Sequence, residues 1–169
     1  MFQINEVIKY NEAPFRVLML MPDHLIWIAL DDPSAFPQLE SKKELEIAMD
    51  EEVLTRIEDP HAELAFQTPE EGTTAKTKRD NNYQLIKPLL ESSEFYLAKS
   101  RSAIINQIIE KQGSTKQTLY RLARRYWQRG QTANALLPDY RNSGAKGKKR
   151  IAKDKKLGRP RVYMPMWAD

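Results

Sequence analysis

Apolar residues follow two rhythms along this chain. Before residue 58 they crowd into short runs, FRVLMLM and HLIWIAL, separated by Pro22-Asp23 and ended by Asp31-Asp32-Pro33. After residue 80 they recur at intervals of three and four, as in Ile104, Ile105, Ile108 and Ile109. The first rhythm predicts strands, the second helices. The two runs form a β-hairpin, and Phe2, Ile4 and Val7 or Ile8, leading into the turn signal KYNEAP, add a strand as a meander. Because the runs are apolar rather than alternating, both faces of this small sheet or barrel-like unit are expected to be covered. Ser41 and Glu44 fit a capping box ahead of Leu45, Ala48 and Met49, which predicts a short helix. A strand over residues 53–57 then closes the sheet.

Residues 67–80, QTPEEGTTAKTKRD, hold no apolar residue but Ala75 and read as a linker. Beyond it Tyr83, Ile86, Leu89 and Leu90 share a helical face, with Pro88 a disturbance unless the helix is short or kinked there. The isoleucine stripe makes a second helix. Gly113 stands where a helix end favours positive φ, and Ser114 with Gln117 gives a capping box for a third. Helix, glycine turn and capped helix, completed by the preceding one, is the three-helix form of helix-turn-helix. The expected fold class is α+β: a β-rich domain over 1–66, a linker over 67–80, a helix-turn-helix domain over 81–141, and a basic extended tail over 142–169.

In the third helix Leu119, Leu122, Ala123 and Tyr126 fall on one side at 100° per residue, and Trp127 reads as core or a wedge. The other side collects Gln117, Arg121, Arg124 and Gln128, flanked by Tyr120 and Arg125. Arginine grips guanine O6 and N7 bidentately, and glutamine does the same with adenine N6 and N7. Gln117, Tyr120, Arg121, Arg124 and Gln128 are therefore candidates for a DNA major groove. Ser114, Thr115, Lys116, Thr118, Arg125 and Arg129 are candidates for phosphate, those at the helix start aided by its free N–H groups. An ordinary solvated basic face would present similar residues. Yet Arg121, Arg124, Arg125 and Arg129 have no acidic neighbour within that segment, and a polyanion would supply the countercharge.

Charge sharpens this picture. Residues 1–75 carry 5 Lys+Arg against 16 Asp+Glu, while residues 76–169 carry 22 against 7, so a nominal +4 conceals an acidic and a basic half. Within residues 130–161, where the chain changes character again, Leu136 and Leu137 are placed to pin it back onto the helices. Further on, Lys155 and Lys156 precede Gly158-Arg159-Pro160-Arg161, a unit like the core of an AT-hook, which enters a narrow A·T minor groove. With no cysteine, disulfides and thiolate zinc sites are excluded, and His24 and His61 lack metal-ligand spacing. No apolar run approaches the roughly 20 residues of a bilayer span. The N-terminus does not read as a secretion signal, so a cytoplasmic protein is expected.

MFQINEV at the start, RRYWQRGQTANALLPDYRNSGAKG over residues 124–147 and the basic GRPR segment together resemble the N-terminal region of TnsB. TnsB is the DDE-type transposase subunit of Tn-seven-like heteromeric transposons, some of them CRISPR-guided. The resemblance implies sequence-specific binding of double-stranded DNA at transposon end repeats. It also implies an endonuclease subunit, an ATPase regulator and further copies of the chain as partners. The complete subunit would cut and join DNA with Mg²⁺ held by an RNase H-like domain. Those ligands have no matching positions here, so neither catalysis nor a cofactor is expected of this chain. A free-standing helix-turn-helix transcriptional regulator is the alternative, which needs a dimer symmetry that no evident dimerisation helix supplies. A protein-docking role for residues 1–66 is a third reading.

Overall fold

The apolar runs form the expected meander. In the computed structural model, which describes residues 1–139, β1 (Val7–Tyr10), β2 (Ala13–Leu20) and β3 (His24–Ala29) are consecutive antiparallel strands. Asn11 and Glu12 turn between β1 and β2 with φ of 47° and 66°, the left-handed pair that matches strand twist in a tight hairpin. A strand not foreseen, β4 (Gln38–Ser41), pairs with β3. Helix α1 (Lys42–Asp50) then carries the chain across to β5 (Leu54–Ile57), which pairs with β1, giving the order β4-β3-β2-β1-β5. Ser41 is the N-cap residue of α1, but its side chain makes no capping hydrogen bond, so the expected box does not form. Its backbone belongs to β4 and passes straight from strand to helix.

Both sheet faces are covered. Phe2, Ile8, Val17, Leu25 and Trp27 pack with Leu45 and Ala48 of α1 and with Leu54 of β5. Leu18, Ile26 and Ile28 point the other way, into a cluster with Ile86, Leu89, Phe95, Ile105, Leu119, Leu122 and Trp127. The register shifts between Val17 and Met19, a bulge that lets Leu18 and Met19 both pack on the helical side while Leu20 returns to the other. Ile26 and Ile28 are fully buried there. Burial of such side chains stabilises by about 1.5–3 kcal/mol each, so sheet and helices are bound by a shared core within one compact unit, Met1–Pro138.

The helical part comprises α2 (Thr74–Leu90), α3 (Ala98–Gln112) and α4 (Lys116–Gln128). Helix α2 starts inside the stretch read as linker. The Thr73 hydroxyl accepts from the Lys76 N–H at 3.3 Å, and Lys76 pairs with Asp80 one turn on at 3.0 Å. Its first turns are polar because they face water. Pro88 lies in the last turn, where the carbonyl it leaves without a donor belongs to exposed Gln84. Gly113 ends α3 at φ 67° and ψ 18°, as its position requires, its N–H donating to Ile109 O. The cap of α4 is Thr115, one residue later than expected: its hydroxyl accepts from the Thr118 N–H at 3.2 Å. Ser114 plays no part in that bond. Two short 3-10 helices, Ala62–Phe66 and Ala133–Leu136, complete the described chain.

Candidate nucleic-acid interface

Helix α4 is amphipathic in the sense its sequence implies. Leu119, Leu122, Ala123 and Trp127 are buried, and Trp127 lies 5.5 Å from Phe95 within the shared core. Tyr126 is half-buried, and desolvation, reinforced by Tyr83, pushes its hydroxyl pKa up. The polar side of the helix divides along its axis. In the first two turns Lys116, Gln117 and Arg121 are exposed, and among the described residues no ion pair engages Arg121. Tyr120 is half-buried beside them, with Lys116 Nζ 5.9 Å from its ring centre. Thr115 is exposed, while Ser114 and Thr118 are half-buried.

The last two turns face the β3–β4 loop, residues 30–37. Arg124 Nε donates to Ala35 O at 2.9 Å, and its guanidinium lies 4.5 Å from the centre of the Phe36 ring. Gln128 Nε2 donates to both Ala29 O and Asp32 O at 2.8 Å. Arg125 donates to Ala135 O at 3.2 Å and to Leu137 O at 2.5 Å, fastening the second 3-10 helix to α4. Leu136 is buried in the shared core, so this segment is indeed pinned back. Arg129 is half-buried at the C-cap. Of the five residues read as a base-facing row, Gln117, Tyr120 and Arg121 thus lie together at the outer end. Arg124 and Gln128 bond instead to the sheet domain. The tail candidates Lys155, Lys156, Gly158, Arg159, Pro160 and Arg161 lie outside the described residues.

Sequence reasoning missed the groups that hold this helix in place. Arg16, the one charge within the FRVLMLM run, is fully buried at the seam. It donates to Asp59 through Nη1 at 2.9 Å and Nη2 at 2.5 Å, to Asn5 O at 2.9 Å and to Gln128 O at 3.1 Å. Partial burial acts to raise the Asp59 pKa, but the Arg16 bonds and the N–H of His61 outweigh it and hold the carboxyl below its ordinary range. A cation on the last carbonyls of α4 also complements the helix dipole. Gln131 Nε2 bridges Asn5 Oδ1 and Leu18 O at 2.8 and 3.1 Å. Asn134 Nδ2 donates to Leu64 O and Gln67 O, both at 2.7 Å, while its Oδ1 accepts from Arg79. A charged residue inside an otherwise apolar strand was the available signal for Arg16.

A second cationic cluster surrounds Phe36. Arg101, in the first turn of α3, is buried, donates to Phe95 O and Tyr96 O, and lies 4.3 Å from the Phe36 ring centre. Burial pulls its pKa below the ordinary arginine value. Tyr120 meets Phe36 edge-on at 5.4 Å. The Ser34 hydroxyl and N–H donate to Asp32, and with Arg124 nearby they hold that carboxyl below its usual pKa. Among the described residues no group of three or more His, Cys, Asp or Glu side chains is placed to hold a metal ion. Nor is any described helix long and apolar enough to cross a membrane.

Two family profiles match the chain in this same order. One, described as the TnsB N-terminal SH3-like domain, covers residues 1–60, and the other, the TnsB second domain, covers residues 79–140. The chain is also 38% identical over 164 residues to the Transposon Tn7 transposition protein TnsB of Escherichia coli. That match takes in 96% of this chain and 23% of the relative, so the chain spans about a quarter of the length of the protein it matches. The sheet with α1 occupies the first matched region, and most of the three-helix array with its 3-10 appendage the second. The chain belongs to the TnsB family, matching its N-terminal SH3-like and second domains.

Proposed function

We propose that this chain binds double-stranded DNA in a sequence-specific manner at the end repeats of a transposon, as the recognition part of a transposase carrying out cut-and-paste transposition. The observation that carries this reading is the exposed outer end of α4. Lys116, Gln117 and Arg121 stand there exposed, on a helix capped by Thr115 and braced by α2 and α3, and among the described residues no ion pair engages Lys116 or Arg121. In a helix-turn-helix the N-terminal residues of the recognition helix reach the base edges. Arg121 and Gln117 are the residues to read bases, with Tyr120 beside them. Thr115, Lys116 and Thr118 meet phosphate at the helix N-terminus. Arg124 and Gln128 hold the helix on the sheet domain, which shortens the base-reading row to its first two turns. The Arg159-Pro160-Arg161 unit, known from sequence, adds a minor-groove grip.

In this reading the chain recognises DNA and does not cut it. Other copies of the chain, an endonuclease subunit and an ATPase regulator are its protein partners, and the bacterial cytoplasm is its setting. Protection mapping on transposon-end DNA tests the proposal. Arg121→Ala should cost about 1–3 kcal/mol and relax specificity at one base position. Lys116→Ala should weaken binding evenly across sequences and flatten the salt dependence. Equal, sequence-independent losses from Arg121→Ala and Gln117→Ala would refute base reading by α4.

A further inference from the structure

The β3–β4 loop is a firm support rather than a loose connection. Three of its carbonyls or those bordering it (Ala29, Asp32 and Ala35) accept hydrogen bonds from α4, and Leu30 N–H donates to Pro14 O. Pro33 and Pro37 restrict its backbone, and Pro37 is buried. Phe36 is its single aromatic residue, and two guanidinium groups from different helices share its ring at 4.3 and 4.5 Å. Arg101 and Arg124 repel each other, and among the described residues neither has a carboxylate within ion-pair distance. What offsets that repulsion is the negative face of the ring together with the carbonyls of Ala35, Phe95 and Tyr96, aided by Tyr120, which hydrogen-bonds Arg101 and whose ring centre lies 5.8 Å from Arg124. The loop also sets exposed Asp31 and Asp32 beside the C-terminal half of α4, where they oppose an approaching phosphate chain.

We propose that Phe36 is a positioning residue for sequence reading: by binding the guanidinium groups of Arg101 and Arg124 on its ring, it fixes α3 and α4 to the sheet domain and confines DNA to the outer end of α4. This rests on the DNA-binding reading above. An apolar filler at position 36 would only occupy space, and leucine would serve as well. A cation-binding ring has a different requirement. Tyrosine keeps the π-face, whereas leucine of similar apolar character lacks it and leaves Arg124 held to the loop by the Ala35 carbonyl alone, a bond it then exchanges readily for water or phosphate. Freed, Arg124 becomes one more cation able to meet any phosphate, which adds affinity without information.

The test uses the full chain as wild type, Phe36→Tyr and Phe36→Leu, each checked for an unchanged far-ultraviolet circular dichroism spectrum. Binding to transposon-end DNA and to a shuffled duplex is measured across a salt titration. The Arg124 Nε–Hε resonance is followed by NMR with and without DNA. Phe36→Tyr should match wild type. Phe36→Leu should lose about tenfold in discrimination, the scale of one base contact, and steepen the salt slope on shuffled DNA by about one. Its Arg124 Hε should lose the protection that wild type keeps both free and bound. Wild-type discrimination retained by Phe36→Leu overturns the inference alone, as does loss of Arg124 Hε protection when the wild type binds DNA. A wild type that does not distinguish end DNA from shuffled DNA overturns the DNA-binding reading and this inference with it.

Discussion

Asp59→Ala probes the seam between sheet and helices at its most costly point. Arg16 is fully buried and donates four hydrogen bonds, two of them to Asp59 at 2.9 and 2.5 Å. Removing the carboxylate leaves Nη2 without its acceptor and the cation without its counterion. Breaking a buried pair from one side costs about 3–5 kcal/mol. The Asp59 side chain is 28% exposed, so water reaches part of the vacated space and the cost is discounted to about 2–3 kcal/mol, at or just below that range. For a unit of this size that lowers Tm by about 6–10 °C. The effect should also depend on pH with a definite sign. The folded carboxyl titrates below its ordinary 3.8, so its stabilisation is complete above that pH and is lost as pH falls through the folded value. Urea denaturation of wild type and variant at neutral pH and again in acid, below 3.8, measures both. The gap should be wide at neutral pH and narrow in acid. A neutral-pH difference under about 0.5 kcal/mol, against the range expected for a buried pair, or an equal gap at both pH values, would refute the reasoning.

Three smaller expectations test local structure without DNA. Thr115→Ala should cost about 1 kcal/mol in urea denaturation and Ser114→Ala close to nothing, because only the first hydroxyl caps α4. Gly113→Ala should cost about 1–2 kcal/mol by the same measurement, from the left-handed backbone alone, since an added Cβ meets nothing within 4 Å. Asn134→Ala should cost about 1–3 kcal/mol, and hydrogen exchange of the Leu64 and Gln67 amides should speed up as the first 3-10 helix loses its tether.

Local pattern revealed what local physics decides. The runs at residues 15–21 and 24–30 announced a hairpin buried on both faces, and the isoleucine stripe, Gly113 and the leucines of α4 announced the three helices. Strand β4 escaped because Gln38-Leu39-Glu40-Ser41 offers one apolar residue, itself exposed, and is a strand only through its pairing with β3. The start of α2 escaped because its opening turns carry linker-like residues and are held by polar contacts, the Thr73 cap, the Lys76–Asp80 pair and the Arg79–Asn134 bond, that no apolar pattern announces. At the two caps the error was one of competition between neighbours. Ser41 and Ser114 fit the motif, but β4 claims the first, and adjacent Thr115 makes the bond in place of the second.

The polar row of α4 divides along the helix for a reason that residue spacing does not show. A helical wheel sorts residues by angle and collapses the axis, so Gln117, Arg121, Arg124 and Gln128 appear as one equivalent face. The fold separates them along that axis. The last turn carries free carbonyls and ends against the sheet, where Arg16 donates to Gln128 O and the loop accepts from Gln128 and Arg124. The first turn carries free N–H groups and ends in solvent beside Lys116, Gln117 and Arg121. The placement of the last turn follows the helix dipole, with the Arg16 cation at the negative end, whereas Lys116 at the positive end runs against it and leaves there a surface that favours an anion. The partner contacts of 89–112 residues' separation that make this division are invisible to any window on the sequence. The sheet domain therefore does more than sit beside the helix: it determines which half of its polar side stays exposed.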